Sequence, residues 1–436
     1  MSIPVLEEPT GPPVETAPPV PPAALEPPPD ASPLAWGRAL RYGVANLGAQ
    51  AVYALFNFAM PFYLQSYHVP PALIGLLANE RSFVGAFVQP VVGRLSDRTR
   101  TPLGRRRPYF LIGIPLMSAA LFALATHPDF WVMMGIMTIA AFFLSVAWDP
   151  YMAFMADLFP PEQRGRVGGL IGVGAGIGTL LTLVLALTLW GSQEFLVFGL
   201  IIIFLIATWA FTFFTVKEPA VPEAAEARPA QGFSPLTYVR SLLPYPEAAK
   251  YTLAITFFWL GTGGAVPFIT LFGQHALHAS EQDTFILPLA AVVTNALASL
   301  PIGFLADRIG KKRVMTMALA LFAVFALIGS QSQTLWQGVI ALAFIGVANA
   351  GMNQINPMLT DLVPKPRVAE FVGLGSAVFS FAQPLGSVVV GGVVTLASQM
   401  VGLDAAYRWS FICSGLLVLV AAGLLQLVRP ERARTD

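Results

Sequence analysis

Apolar residues run along this chain in blocks of about 20, the length a helix needs to cross a hydrocarbon core of about 30 Å. Twelve such blocks are predicted as membrane-spanning helices: 42–66, 71–95, 108–127, 131–157, 166–190, 195–216, 251–274, 284–306, 312–331, 335–361, 368–397 and 406–428. Polar residues between them form mostly short joints. The joint at 217–250 is longer, rich in Pro, Ala and Glu, and falls midway along the chain. The pattern predicts an all-α membrane protein of twelve transmembrane helices in two six-helix halves. The N-terminal bundle covers 34–216, the linker 217–250 and the C-terminal bundle 251–429, followed by a tail over 430–436.

Two strings recur half a chain apart. Gly93-Arg94-Leu95-Ser96-Asp97-Arg98 returns as Gly303-Phe304-Leu305-Ala306-Asp307-Arg308. Each copy closes an apolar block and opens a basic cluster, Arg105-Arg106-Arg107 in one case and Lys311-Lys312-Arg313 in the other. Asp157-Leu158-Phe159-Pro160 returns at nearly the same spacing as Asp361-Leu362-Val363-Pro364. Two related six-span halves with a site at their interface near mid-membrane is a recurring plan among transporters.

Composition agrees with lipid as the main solvent. Charged residues are 11% of the chain, against about 25% in a soluble domain. The net charge of +1 conceals segregation. With the N-terminus inside, Arg38, Arg41, Arg94 to Arg107, Arg164, Arg166, Lys217 to Lys250, Arg308 to Arg313, Lys365, Arg367 and Arg429 to Arg434 share one side. The excess of basic residues marks that side as cytoplasmic, with both termini there. Arg408, in an outer joint, and Arg81, inside span two, depart from the rule. Residues 1–33 are dense in proline and lack aromatics, so they are expected to form a disordered tail; no basic segment leading an apolar one marks a signal peptide. The lone Cys413 excludes a disulfide framework, and no pair among His68, His127, His275 and His278 looks like a metal site. No metal or cofactor is expected.

The twelve spans, the duplicated turn and the central joint resemble the major facilitator superfamily over nearly everything after residue 33. Gln89-Pro90 followed by Gly93-Arg94-Leu95-Ser96-Asp97-Arg98-Thr99-Arg100-Thr101-Pro102-Leu103-Gly104-Arg105-Arg106-Arg107-Pro108-Tyr109 is similar to the glycoside–pentoside–hexuronide and sucrose-type cation symporters. Pro150-Tyr151-Met152-Ala153-Phe154-Met155-Ala156-Asp157-Leu158 resembles the P-x-R-A-x-x-A-D-L stretch of sucrose carriers. The chain departs from these relatives at specific places. Gln89 and Gly85 stand where melibiose-type sodium symporters carry aspartates, which removes the expected sodium ligands. Met152 and Ala141 stand where sucrose carriers have an arginine and an aspartate. The proton, not sodium, is therefore the expected coupling ion, and sucrose is not singled out.

Three ionisable residues fall inside spans: Glu80, Arg81 and Asp149. Counting 1.5 Å per residue from the span ends puts all three near mid-depth, within reach of one another. Charges at that depth are expensive and usually mark an ion or substrate path. A carboxylate that gains or loses a guanidinium partner changes its proton affinity. One reading gives the coupling proton to Asp149 or Glu80, with Arg81 as counter-charge. The other is a permanent ion pair joining spans two and four.

Asn46, Gln50, Tyr53 and Asn57 recur on one face of span one, and Asn349, Asn353 and Asn356 on one face of span ten. Trp259, Thr262, Gln274, Asn295, Ser376, Ser380 and Gln383 add to them from spans seven, eight and eleven. Carboxamides offer donors and acceptors without charge, which suits a neutral sugar, and Trp259 or Tyr53 would face its C–H side. Amides also bond packed helices together, and both readings stand. Gly168, Gly172 and Gly176 in span five, with Gly174 and Gly178 nearby, read as a packing surface. For the paired turns, the resemblance implies a cytoplasmic gate built from Gly93, Asp97 and Arg98 and from Gly303, Asp307 and Arg308. It would set Asp97 against the start of span eleven and Asp307 against the start of span five. The alternative is anchoring of topology by the basic clusters.

Together these readings lead to proton-coupled symport of a neutral, disaccharide-like sugar or glycoside by alternating access. A proton-coupled exporter or antiporter of another small polar molecule and a transport-inactive sensor are the alternatives. An enzyme is not expected, because no H-E-x-x-H, phosphate-binding glycine loop or cluster of cytoplasmic acids is present. The expected partners are the sugar and the lipid of the cell membrane, with no nucleic acid, and the chain is expected to act as a monomer.

Overall fold

In a computed structural model, residues 36–218, 244–364 and 367–429 are described. The tail over 1–33 and most of the linker therefore lie outside the described residues, as do the side chains of Glu80, Arg81 and Ser376. The described chain is helical throughout, and twelve spans are present. Ten of them carry a window apolar enough to cross a membrane by length and composition. The remaining two are the first two spans, and both are interrupted.

Span one runs as Trp36–Ala54, a π-helical turn Leu55–Ala59 and Met60–Ser66. Span two is Pro71–Ala78 and Glu80–Arg98, broken at Asn79. Spans three to six are Arg107–Leu124, Phe130–Leu158, Pro161–Leu189 and Glu194–Thr215. Span seven is Pro246–Ala265, a 3-10 turn Val266–Phe268 and Ile269–His275. Spans eight and nine are Ile286–Ile309 and Lys311–Ser330. Span ten is Leu335–Gly351, a 3-10 turn Met352–Gln354 and Ile355–Thr360. Spans eleven and twelve are Val368–Val401 and Arg408–Gln426. Several starts follow local chemistry: Pro lies in the first turn of spans three, five and seven, where its missing N–H has no intrahelical partner to lose. Thr334 and Gln337 form a reciprocal capping box at the start of span ten.

The duplication read from the sequence extends to side chains. The Tyr42 hydroxyl of span one donates to the Tyr151 carbonyl in span four (2.7 Å). The Tyr251 hydroxyl of span seven donates to the Ile355 carbonyl in span ten (2.7 Å). In the first half Tyr151 returns the bond to the Tyr42 carbonyl (2.9 Å), and the two rings stack at 4.5 Å. Asp157 pairs with Arg105 and with Arg106 (3.3 Å), while its counterpart Asp361 pairs with Lys311 (2.8 Å). The Arg107 guanidinium donates to the Phe213 carbonyl at the end of span six (2.5 Å), and Lys312 donates to the Val428 carbonyl past the end of span twelve (2.7 Å). Each basic cluster thus ties two span ends of its own half together. Cations at helix C-termini also complement the helix dipole. The tight joints that present these clusters use Gly104 (φ +103°) and Gly310 (φ +94°), where a side chain would be strained.

Large apolar side chains such as Trp131, Ile203, Phe214 and Met400 face outward. A helix bundle that keeps such residues on its surface is solvated by acyl chains, so the protein is an integral, multi-pass membrane protein.

Candidate functional site

Between the halves lies a cavity of about 2170 Å³. It extends from the middle of the bundle toward the end that carries the two basic clusters, where Tyr251, Thr252, Asn356 and Pro357 line it. The far end is packed shut across the halves. Asn79 Nδ2 donates to Ser387 Oγ (2.7 Å), the Ala72 N–H to Thr395 Oγ1 (3.2 Å), Thr270 Oγ1 to the Phe58 carbonyl (2.9 Å) and Gln282 Nε2 to the Thr188 carbonyl (2.9 Å). Gln65 and His275 also meet there, with Asp404 on the other imidazole nitrogen (2.7 Å). Phe285 fits between Phe62 and Trp190 at centroid distances of 5.7 and 5.9 Å.

Nine of the fourteen predicted ligand-facing residues line this cavity: Tyr53, Trp259, Thr262, Asn295, Asn349, Asn353, Asn356, Ser380 and Gln383. Asn353 Nδ2 donates to Ser299 Oγ (3.1 Å), and Trp259 packs edge-on against Phe379 at 4.6 Å. Gln383 is 6% exposed, and its Oε1 has no hydrogen-bond partner among the described residues. Asn46, Gln50, Asn57 and Gln274 do not line it, Gln274 donating instead to Glu281 (3.2 Å). Asn46 is fully buried and donates to the Ile171 carbonyl of span five (2.6 Å), with Gln50 donating to its Oδ1 (3.5 Å). Asn57, inside the π-helical turn, donates to the carbonyl of Tyr53 (2.8 Å). In span one, therefore, Asn46 joins two helices, Gln50 and Asn57 bond within the span, and the aromatic residue faces the cavity.

Asp149 lines the cavity beside Trp148. The side chains of Glu80 and Arg81 lie outside the described residues, but the backbone register of span two is defined. A Cβ on Gly85 would lie 3.5 Å from Ser145 Oγ, and Val88 and Val92 cluster with Val146. Spans two and four run the same way, so one further turn brings Gln89, not Glu80, to the level of Asp149. Glu80 sits nine residues earlier, about 13 Å along the axis at 1.5 Å per residue. Gln89 also lines the cavity.

The glycines of span five divide in a way their spacing did not show. Gly168, Gly172 and Gly176 line the cavity, and a Cβ on any of them would meet nothing within 4 Å. The close approach is made by Gly174 and Gly178, where a Cβ would fall 2.9 Å from Leu47 Cδ1 and 2.1 Å from the Leu47 carbonyl oxygen. The packing surface is thus one face over from the one expected.

At the basic end, Asp97 pairs with Arg106 (2.6 Å) within its own half. Arg98, Asp307 and Arg308 are exposed, and a Cβ on Gly93 or Gly303 would meet nothing within 4 Å. Two acids that close these networks carry no signal in the sequence. Glu218, at the first residues of the linker, accepts from the Arg106 N–H (3.0 Å), and Glu247 accepts from the Arg429 N–H (2.5 Å). Also missed were Gln89, Trp148 and Ser299 on the cavity wall and Asn79 and Ser387 at the closed end; the adjacency of Trp148 to Asp149 was the one available signal.

Residues 43–294 and 251–436 match the model of the Major Facilitator Superfamily. The chain is 24% identical over 408 residues to the multidrug resistance protein MdtG of Dickeya zeae, covering 90% of this chain and 95% of that one. It is 24% identical over 324 residues to the isoprimeverose transporter of Lactiplantibacillus pentosus, covering 70% and 65% of the two chains. A stretch of 105 residues is 33% identical to the sucrose transport protein SUT1 of Oryza sativa, covering 24% of this chain and 20% of that protein. Among solved structures, the nucleoside transporter NupG superposes with a TM-score of 0.65 at 17% identity over 90% of this chain and 98% of its own. A bacterial homolog of the human lysosomal transporter Spinster gives 0.67 at 14% identity, over 91% and 96%.

Proposed function

This chain belongs to the major facilitator superfamily and is a membrane transporter rather than an enzyme, and from that premise we propose that it imports a neutral sugar or glycoside by proton symport. The observation that carries the sugar is the second-half wall of the cavity, where Asn295, Asn349, Asn353, Asn356 and Gln383 present carboxamides beside Trp259. Carboxamides bond hydroxyls as donor and acceptor alike. An indole face takes the C–H side of a pyranose. The kinship with an isoprimeverose transporter and a sucrose transport protein supports the same class.

The proton is assigned to Asp149, an acid on the cavity wall, with the neutral Gln89 at its level. Glu80 and Arg81, farther toward the closed end, form a separate pair of candidates for tuning that step. The basic clusters support a cytoplasmic location for their end of the bundle; on that reading the conformation is inward-open and both termini are cytoplasmic. When the cavity reopens on the far side, Asp97 would leave Arg106 to face span eleven, and Asp307 would face span five.

Counterflow tests the substrate class. Proteoliposomes preloaded with unlabelled sucrose, maltose or isoprimeverose should take up the matching labelled sugar, and Asn353→Ala should raise the half-saturating concentration. Efflux of a lipophilic cation with no sugar counterflow would instead favour an exporter, the reading that the kinship with a multidrug resistance protein suggests.

A further inference from the structure

We infer that Asn79 and Ser387 form a buried polar pin that sets how often the far end of the cavity opens. Ser387 is fully buried in span eleven, and Asn79 is 3% exposed at the break in span two. The Ser387 hydroxyl donates to the Gly263 carbonyl of span seven (2.6 Å) and accepts from Asn79 Nδ2 of the opposite half (2.7 Å). One hydroxyl thus links two spans of its own half to the opposing bundle. The backbones approach closely on both sides of the pin. A Cβ on Gly75 would lie 2.4 Å from the Ser387 carbonyl oxygen, and one on Gly263 would lie 2.1 Å from the Gln383 carbonyl oxygen.

The pin differs from the rest of the seam in two respects. It lies one helical turn from Gln383 on the same face of span eleven, and Gln383 lines the cavity. It also engages Asn79, the residue at which span two breaks, so the bond holds a joint rather than a rigid helix. Opening the far end separates spans two and eleven and exchanges the amide–hydroxyl bond for water. A bond present in one state only shifts the equilibrium between states, by about threefold to tenfold for a net contribution of one hydrogen bond. Asn79 and Ser387 are thus positioning residues for transport. Neither needs to touch the substrate.

The test needs no ligand and so does not depend on the sugar assignment. In the full chain carrying Cys413→Ser, a single Ile269→Cys on the far part of the cavity wall reports opening through its rate of modification by a membrane-impermeant thiol reagent added outside. Asn79→Ala and Ser387→Ala should each speed modification about threefold to tenfold. The double variant should be no faster than the faster single variant, because both remove one bond. Unchanged rates in either folded single variant, or multiplicative effects in the double, would overturn the pin. Failure of sugar counterflow would leave these rates unaffected.

Discussion

Gly391→Ala should drive the protein toward the state in which the far end is open. Gly391 lies in span eleven against the first turn of span two, and a Cβ there would fall 2.6 Å from the Pro71 carbonyl oxygen and 2.9 Å from the Ala72 Cα. Ordinary contact begins at 3.4 Å, so the two backbones must separate by roughly 0.5–0.8 Å, and neither can rotate aside as a side chain would. Overpacking of this kind costs about 1–3 kcal/mol. It applies only while the far end is closed, because the two spans belong to opposite halves. At about 1.4 kcal/mol per tenfold, the ratio of far-end-open to far-end-closed molecules should rise by roughly 5- to 150-fold. Gly392 supplies the control: a Cβ there meets nothing within 4 Å, and Ala raises helix propensity equally at both positions. Spin labels replacing the exposed Phe195 and Trp336, one per half at the far end, should show a longer-distance population in Gly391→Ala and not in Gly392→Ala. Identical distance distributions in the two folded variants would refute the idea that this seam is closed by backbone contact.

Five further variants have expected outcomes. Asp149→Asn should abolish sugar accumulation driven by a pH gradient while leaving counterflow measurable. Asn46→Ala should lower thermal stability by about 0.5–1.5 kcal/mol, the net contribution of the bond from fully buried Asn46 to the Ile171 carbonyl, with little change in the half-saturating sugar concentration. Asn353→Ala should do the reverse. Asp157→Asn should destabilise the protein by about 3 kcal/mol, because its side chain is 14% exposed and one of its partners, Arg106, is 6% exposed. Asp361→Asn should cost less than about 1 kcal/mol, since both members of its pair with Lys311 are about one-third exposed. Melts of the two variants side by side check the difference.

Architecture was legible in the sequence because lipid forces it. Blocks of apolar residues have to be helices, and the paired turns disclose the duplication that the tyrosine bonds and acid–base pairs then display. The site was legible in part. Periodicity defines a helical face but not the neighbour that meets it, so Asn46 and Tyr53 share a stripe although one joins span five and the other borders the cavity. The π-helical turn at Leu55–Ala59 adds to the difficulty, since it shifts the register just where Asn57 lies. The glycines of span five show the same ambiguity: a run of small residues reads alike against a helix or against open space. Depth counting treated Glu80, Arg81 and Asp149 as level, whereas the parallel course of spans two and four brings Gln89 to Asp149 instead. Asn79 and Ser387 gave no signal, because a single polar residue in an apolar run acquires meaning only from its partner across the bundle.

The most direct measurement is uptake of labelled sugars by proteoliposomes under an imposed pH gradient, acid on the side of the far end, with and without sodium. Accumulation above equilibrium for at least one neutral disaccharide is expected, indifferent to sodium and lost in Asp149→Asn. Gradient-driven uptake that survives Asp149→Asn, or that requires sodium, would contradict the assignment of the proton to the cavity wall.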